Sequence, residues 1–98
     1  MKDKAKAIVI HEKDTVATAL EPLRAGAAIS VEIHNRVEKI KLLAEIPAGH
    51  KFALIDMEKG TDVIKYGEPI GQSTAKIAQG EHVHRHNLTS RTKQENER

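Results

Sequence analysis

The chain of 98 residues contains no cysteine, which excludes disulfides and thiolate metal sites and accords with a reducing, cytoplasmic setting. Tryptophan is absent and there is one tyrosine and one phenylalanine. Stacking platforms for single-stranded nucleic acid are therefore missing, and the core must be built from Ile, Val, Leu and Ala. No apolar run approaches the roughly 20 residues of a membrane span. The N-terminus, Met1 to Lys6, is charged with no apolar stretch behind it, so neither a membrane segment nor a signal peptide is expected. One-sided charge is also lacking. Sixteen Lys and Arg face fourteen Asp and Glu for a net +2, and much of the basic excess follows Asn87. So small an imbalance does not mark a nucleic-acid surface, and no nucleic-acid partner is expected.

A chain of this length makes one domain near the lower size limit for folding without staples. A core so poor in aromatics invites stabilisation by a partner or by a second copy of the chain, so a homo-oligomer is one expectation. Short apolar–polar alternations predict strands at Lys6–Ile10, Ile29–Ile33, Val37–Leu42, His50–Ile55 and Asp62–Tyr66. The clearest hairpin turns at His34-Asn35-Arg36. Asp14 stands where an N-cap should, ahead of Thr15 to Leu20, which predicts one short helical turn near residues 14–21. Gly67, Pro69 and Gly71 fall within five residues and predict bends over regular structure. No internal repeat and no second domain are apparent. Thr89 to Arg98 contains no apolar residue, so the expected organisation is a mostly β domain over 1–88 and a disordered polar tail over 89–98.

The densest chemistry lies in Glu81-His82-Val83-His84-Arg85-His86-Asn87, which holds three of the six histidines. In an extended strand His82, His84 and His86 share one face while Val83 and Arg85 point away. Imidazole is the commonest transition-metal ligand and exchanges its proton near neutral pH. Same-face neighbours on a strand lie about 6.5–7 Å apart, so His82 with His84, or His84 with His86, can converge on one ion. His82 and His86 would stand about 13 Å apart on a straight strand, so all three need a bend. A further ligand is required, and Glu81 or a partner chain is the nearest source. The competing reading is a half-exposed strand whose imidazoles hydrogen-bond backbone or partner groups.

Gly49-His50-Lys51 and Lys65-Tyr66-Gly67 are further candidates. Lys51 and Lys65 can each hold a substrate carboxylate as a point charge, against the alternative of solvated strand residues. Tyr66 can donate a proton or pack its ring. The glycines suit bends better than phosphate binding, because no helix follows with the spacing of a phosphate loop. His11 and His34 read as surface or turn residues, and Asp14 as a cap.

Several blocks taken together, in order, carry a resemblance. They are Gly49-His50-Lys51-Phe52-Ala53-Leu54, Lys59-Gly60, Val63-Ile64-Lys65-Tyr66-Gly67, Pro69-Ile70-Gly71, Gly80-Glu81-His82-Val83-His84 and His86-Asn87, preceded by His11, Asp14, Val16-Ala17 and Ala19-Leu20. From about Ala7 to Asn87 the chain resembles the small N-terminal domain of the altronate dehydratase family. That domain type also occurs in galactarate dehydratase and, as a separate small subunit, in sulfolactate sulfo-lyase. The resemblance implies a SAF-type β-clip fold, a place in hexuronate metabolism, and lyase chemistry on sugar acids or related 2-hydroxy acids. It also implies a divalent metal, iron or manganese, held by this chain or by its partner. The complete dehydratases carry a much longer C-terminal region, so a large catalytic partner subunit is expected. On this reading His84 and His86 are the catalytic candidates. His82, His84 and His86 are the metal candidates, and His50, Lys51, Lys65, Tyr66 and Asn87 would contact substrate. The family chemistry removes a proton α to a carboxylate and expels a β-hydroxyl, which needs a base, an acid and stabilisation of an enediolate. A small β-clip offers little concave volume, so this chain would complete or gate a site on the partner. A stand-alone module that binds an acidic carbohydrate or a metal without turnover is the alternative, and an adaptor acting through the basic tail is a third.

Overall fold

A computed structural model describes residues 5–33 and 35–90. His34 and the tail from residue 91 onward lie outside them. Among the described residues nine short strands form, and no helix: β1 Ala7–Ile8, β2 Val16–Ala19, β3 Ala28–Ile33, β4 Arg36–Lys41, β5 Lys51–Ala53, β6 Asp62–Lys65, β7 Glu68–Ser73, β8 His82–Val83 and β9 Leu88–Ser90. Three antiparallel sheets result, with strand orders β1-β2-β5-β8, β3-β4 and β6-β7-β9. The mostly β expectation holds, and strand β9 carries regular structure to Ser90, two residues past the expected boundary of the domain.

The expected helical turn near 14–21 is instead strand β2. Val16-Ala17-Thr18-Ala19 alternates β-branched and small residues, and its position between β1 and β5 buries both of its faces. Tertiary pairing thus overrides a weak local helix signal. Asp14 caps no helix. Buried at 8% exposure, its carboxylate accepts the N–H groups of Ile10 (3.3 Å), His11 (3.1 Å) and, across the chain, Gly67 (2.8 Å). It ties the β1–β2 connection to the β6–β7 hairpin.

The predicted hairpin appears as β3 paired with β4 from Ala28↔Lys41 to Ile33↔Arg36, with Asn35 at φ 68° in its turn. Gly67 takes the expected bend, at φ 79° in the β6–β7 turn, but Pro69 and Gly71 depart from expectation because strand β7 runs through them. A register shift opposite Val63 and Ile64 leaves Ile70 as the extra residue, a bulge that admits Pro69. Among the described residues strand β9 pairs with Gly71, Gln72 and Ser73. A Cβ at Gly71 would stand 1.8 Å from the Thr89 carbonyl oxygen, so only glycine lets β9 approach.

A four-residue unit recurs that the sequence alone did not reveal: Leu23-Arg24-Ala25-Gly26, Ile46-Pro47-Ala48-Gly49, Met57-Glu58-Lys59-Gly60 and Ile77-Ala78-Gln79-Gly80. Each begins at a buried apolar residue and ends at a glycine with φ between 84° and 89°, the left-handed conformation that glycine adopts without penalty. Units associate in pairs by reciprocal backbone bonds, Leu23 with Ile46 (2.9 Å each way) and Met57 with Ile77 (2.7 and 2.8 Å). The repeat escapes sequence inspection because only its first and last positions are constrained.

Each pair sits against its own core. One cluster gathers Leu23, Ile29, Ile40, Leu42, Ile46 and Phe52. The other gathers Val16, Ala53, Met57, Val63, Ile77 and Val83. Adjacent residues of β2 and β5 face opposite clusters: Ala17 and Phe52 the first, Val16 and Ala53 the second. These two central strands are therefore the wall shared by both cores, and the candidate site is built at one end of that wall.

Candidate functional site

Strands β5 and β8 pair in the register Lys51↔Val83 and Phe52↔His82. One further step along this antiparallel ladder brings His50 opposite His84. Two of the recurring glycine turns deliver these residues, with Gly49 immediately before His50 and Gly80 two residues before His82. The Ala19 N–H donates to the His50 carbonyl and the Gly49 N–H to the Ala19 carbonyl (2.8 Å each), locking this end of β5 to β2.

The histidine segment is not the extended strand expected from its alternation. Strand β8 ends at Val83 and the chain turns, with the Asn87 N–H donating to the His84 carbonyl at 3.0 Å. Asn87 holds this turn from inside. Its Oδ1 accepts the His84 N–H and its Nδ2 donates to the His82 carbonyl, both at 2.9 Å. Asn87 is 3% exposed. The expectation of a substrate contact there gives way to a positioning role, since both ends of its amide are spent on backbone.

The turn draws the rings together. His50 and His84 stack with centroids 4.4 Å apart, His50 and His82 at 5.1 Å, and His82 and His84 at 5.4 Å. His86 tilts against His82 at 5.5 Å, far closer than a straight strand allows. One ring nitrogen from each of His50, His82 and His84 lies within 4.8 Å of the others, and His50 Nδ1 is hydrogen-bonded to His82 Nε2 at 2.9 Å. The group that converges is thus His50, His82 and His84, not the consecutive set His82, His84 and His86. His50 enters it from 32 residues away, so no local spacing could have revealed it as a partner of the later histidines. Glu81, the carboxylate nearest in sequence, is turned away, its Oε1 accepting the Ala78 N–H at 2.9 Å.

The surroundings are electropositive. Burial lowers the pKa of His82 from its ordinary value, helped by His50, His84, His86 and Lys51. His84 is lowered likewise by lost hydration, then by His50, Lys51, Arg85 and His86. Both rings are therefore neutral near pH 7, with a lone pair available. The Lys51 ammonium is lowered by burial and by the nearby Lys65 ammonium. Lys51 and Lys65 are half-buried and make no ion pair with any described residue, so the charge of this side of the site favours an anion. Tyr66 is exposed at the tip of the β6–β7 hairpin, at φ 58°, with the Lys65 ammonium 4.8 Å from its ring centroid. His11 packs against the same turn, its ring 2.8 Å from where a Gly67 Cβ would stand.

An open groove of about 790 Å³ lies elsewhere, lined by Ile8, Ile10, His11, Leu20 and Val37 among others. It includes none of His50, His82 and His84. Among the described residues no helix is long and apolar enough to cross a membrane.

Comparison with known proteins gives concordant results. Residues 5–91 match the family model described as the altronate/galactarate dehydratase SAF domain. Altronate dehydratase of Escherichia coli strain K12 is 49% identical over 80 residues, covering 82% of this chain and 15% of that protein. The (2R)-sulfolactate sulfo-lyase subunit alpha of Chromohalobacter salexigens is 34% identical over 87 residues, covering 85% of this chain and 93% of that subunit. Galactarate dehydratase (L-threo-forming) of Escherichia coli strain K12 is 33% identical over 75 residues, covering 74% of this chain and 13% of that protein. The chain thus spans a small fraction of the dehydratases and nearly all of the sulfo-lyase subunit.

Proposed function

The chain belongs to the altronate/galactarate dehydratase SAF-domain family, and on that premise we propose that it is a small module of a carbon–oxygen lyase acting on sugar acids or related 2-hydroxy acids. It completes or gates a site whose larger part belongs to a catalytic region outside this domain. One observation carries the reading: the same unit makes up 93% of a sulfo-lyase subunit and 15% of an altronate dehydratase. A unit used in both settings operates alongside other catalytic machinery. The histidine face, backed by two lysines that make no ion pair with any described residue, supports this. It has chemistry to contribute to such a shared site.

In this reading Lys51 and Lys65 hold the substrate carboxylate, each as a point charge. Tyr66 packs its exposed ring against the carbon chain. His86, exposed at the rim and outside the converging triad, exchanges a proton with the substrate. The residues His50, His82 and His84 fit a divalent ion by their donor chemistry. Such an ion supplies electrophilic stabilisation to an enediolate when bound.

The test is co-expression with a large dehydratase-like chain, followed by co-purification and assay of 2-oxo product from aldonates and aldarates. Complex formation and turnover that depends on this chain are expected. A Lys51→Met, Lys65→Met double variant should raise KM more than it lowers kcat. Absence of a complex, with turnover indifferent to this chain, refutes the proposal. Tight carbohydrate binding by this chain alone, without turnover in any complex, would favour a stand-alone binding module.

A further inference from the structure

We infer that His50, His82 and His84 constitute an all-imidazole divalent-metal site that selects iron(II), cobalt(II) or zinc(II) over manganese(II), magnesium and calcium. The inference deepens the proposed function by naming what the histidine face holds. It rests on that reading only for the catalytic use of the ion.

Geometry carries it. Three ring nitrogens lie within 4.8 Å of one another, and two of them, His50 Nδ1 and His82 Nε2, are 2.9 Å apart. Metal–imidazole bonds of about 2.1 Å meeting near a right angle place adjacent nitrogens about 3.0 Å apart. The His50–His82 pair already has that separation, and an ion that replaces the shared proton would turn both rings so that their lone pairs meet on it. Neither ring nitrogen of His84 has a hydrogen-bond partner among the described residues, which leaves it free to close the set. The backbone holding these rings is fixed on both sides, by the β2–β5 bonds at His50 and by Asn87 at the His82–His84 turn.

The donor set decides the metal. Among the described residues no carboxylate joins the group, and imidazole favours iron, zinc, copper and nickel, whereas manganese, magnesium and calcium favour oxygen ligands. Three protein ligands also leave coordination positions open, the arrangement of catalytic sites and not of closed structural ones.

The experiment is titration of the full chain, without a histidine tag, with cobalt(II) followed by visible absorption, and with zinc(II), manganese(II) and magnesium followed by calorimetry. One cobalt or zinc per chain is expected, with manganese and magnesium at least about 100-fold weaker. His50→Ala should weaken cobalt binding by more than the roughly 10–100-fold typical of losing an outer-shell partner. His86→Ala should leave the affinity unchanged. In the unaltered protein, zinc should shift the imidazole NMR resonances of His50, His82 and His84 and spare His86, a readout that needs no variant to fold. Absence of stoichiometric binding, equal affinity for manganese, or loss on changing His86 but not His50 would overturn the assignment. A chain that binds cobalt but joins no large subunit overturns the proposed function and leaves the metal site standing. A functional complex whose small subunit binds no metal does the reverse.

Discussion

Replacing Asn87 with alanine tests whether the histidine turn is held by one buried amide. Both side-chain hydrogen bonds of Asn87 are 2.9 Å long and the residue is 3% exposed. Alanine removes both bonds, each worth about 1 kcal/mol net, and strands the His84 N–H and the His82 carbonyl at about 1–3 kcal/mol each when water cannot reach them. His82 and His84 are half-buried, so water recovers part of that cost, and a total of about 2–4 kcal/mol is expected. Against the 5–15 kcal/mol typical of a whole domain, this is a large fraction. Asn87→Asp separates donor from acceptor. It keeps the oxygen that accepts the His84 N–H, but turns a second oxygen toward the His82 carbonyl and buries a charge, so it should cost at least as much as alanine. Urea unfolding followed by far-ultraviolet circular dichroism measures both. The cobalt affinity of Asn87→Ala should fall as well, because His84 loses its anchor. An alanine variant within about 0.5 kcal/mol of the parent, or an aspartate variant as stable as the parent, would refute this reasoning.

Three further outcomes are expected. Gly80→Ala should cost at least about 2 kcal/mol and clearly more than Gly60→Ala. Both glycines have nearly the same φ (89° and 86°), but only the Gly80 Cβ meets an obstacle, the Lys41 carbonyl oxygen at 2.0 Å. Equal midpoints in thermal melts would dismiss the clash. Asp14→Ala should cost about 2–4 kcal/mol, since three backbone N–H groups lose a charged acceptor, and hydrogen exchange should quicken at Gly67 together with His11; exchange that quickens only locally would count against the tie between the two connections. In metal-free protein, stability should decline as pH falls below the ordinary histidine value of 6.5. The lowered pKa of His82 and His84 means that the unfolded chain binds more protons in that window, so stability is full above 6.5 and is lost as pH drops through the folded-state values. Urea midpoints from pH 8 to pH 5 in the presence of a chelator check this, and a His82→Gln, His84→Gln double variant should flatten the profile.

Much of the architecture was legible from residue types. Ile29-Ser30-Val31-Glu32-Ile33 and its partner strand read as a hairpin and form one, because alternation needs only one buried face to specify register. The strand expected at Asp62–Tyr66 forms over Asp62–Lys65. Asp14 with Thr15 to Leu20 was misleading, since a cap residue and a short apolar run satisfy a helix pattern locally while the flanking strands claim the backbone. Pro69 and Gly71 misled for the opposite reason: a proline tolerated at a bulge and a glycine demanded by close strand approach both look like bends when the neighbouring strands are unseen.

The candidate site divides along the same line. That imidazole is the chemistry of this chain follows from the sequence alone, as do the missing thiolates, the missing aromatic platforms and the nearby lysines. Which imidazoles meet was decided by tertiary structure. His84 and His86 are close in sequence, yet the turn held by Asn87 leaves His86 at the rim. His50, distant in sequence, is brought beside His84 by the β5–β8 register. Side-chain type sets what a residue can bind, and that is a property of the chain. Convergence of three nitrogens on one point depends on strand pairing and on a turn whose cost is met by buried hydrogen bonds, and those exist only in the folded state.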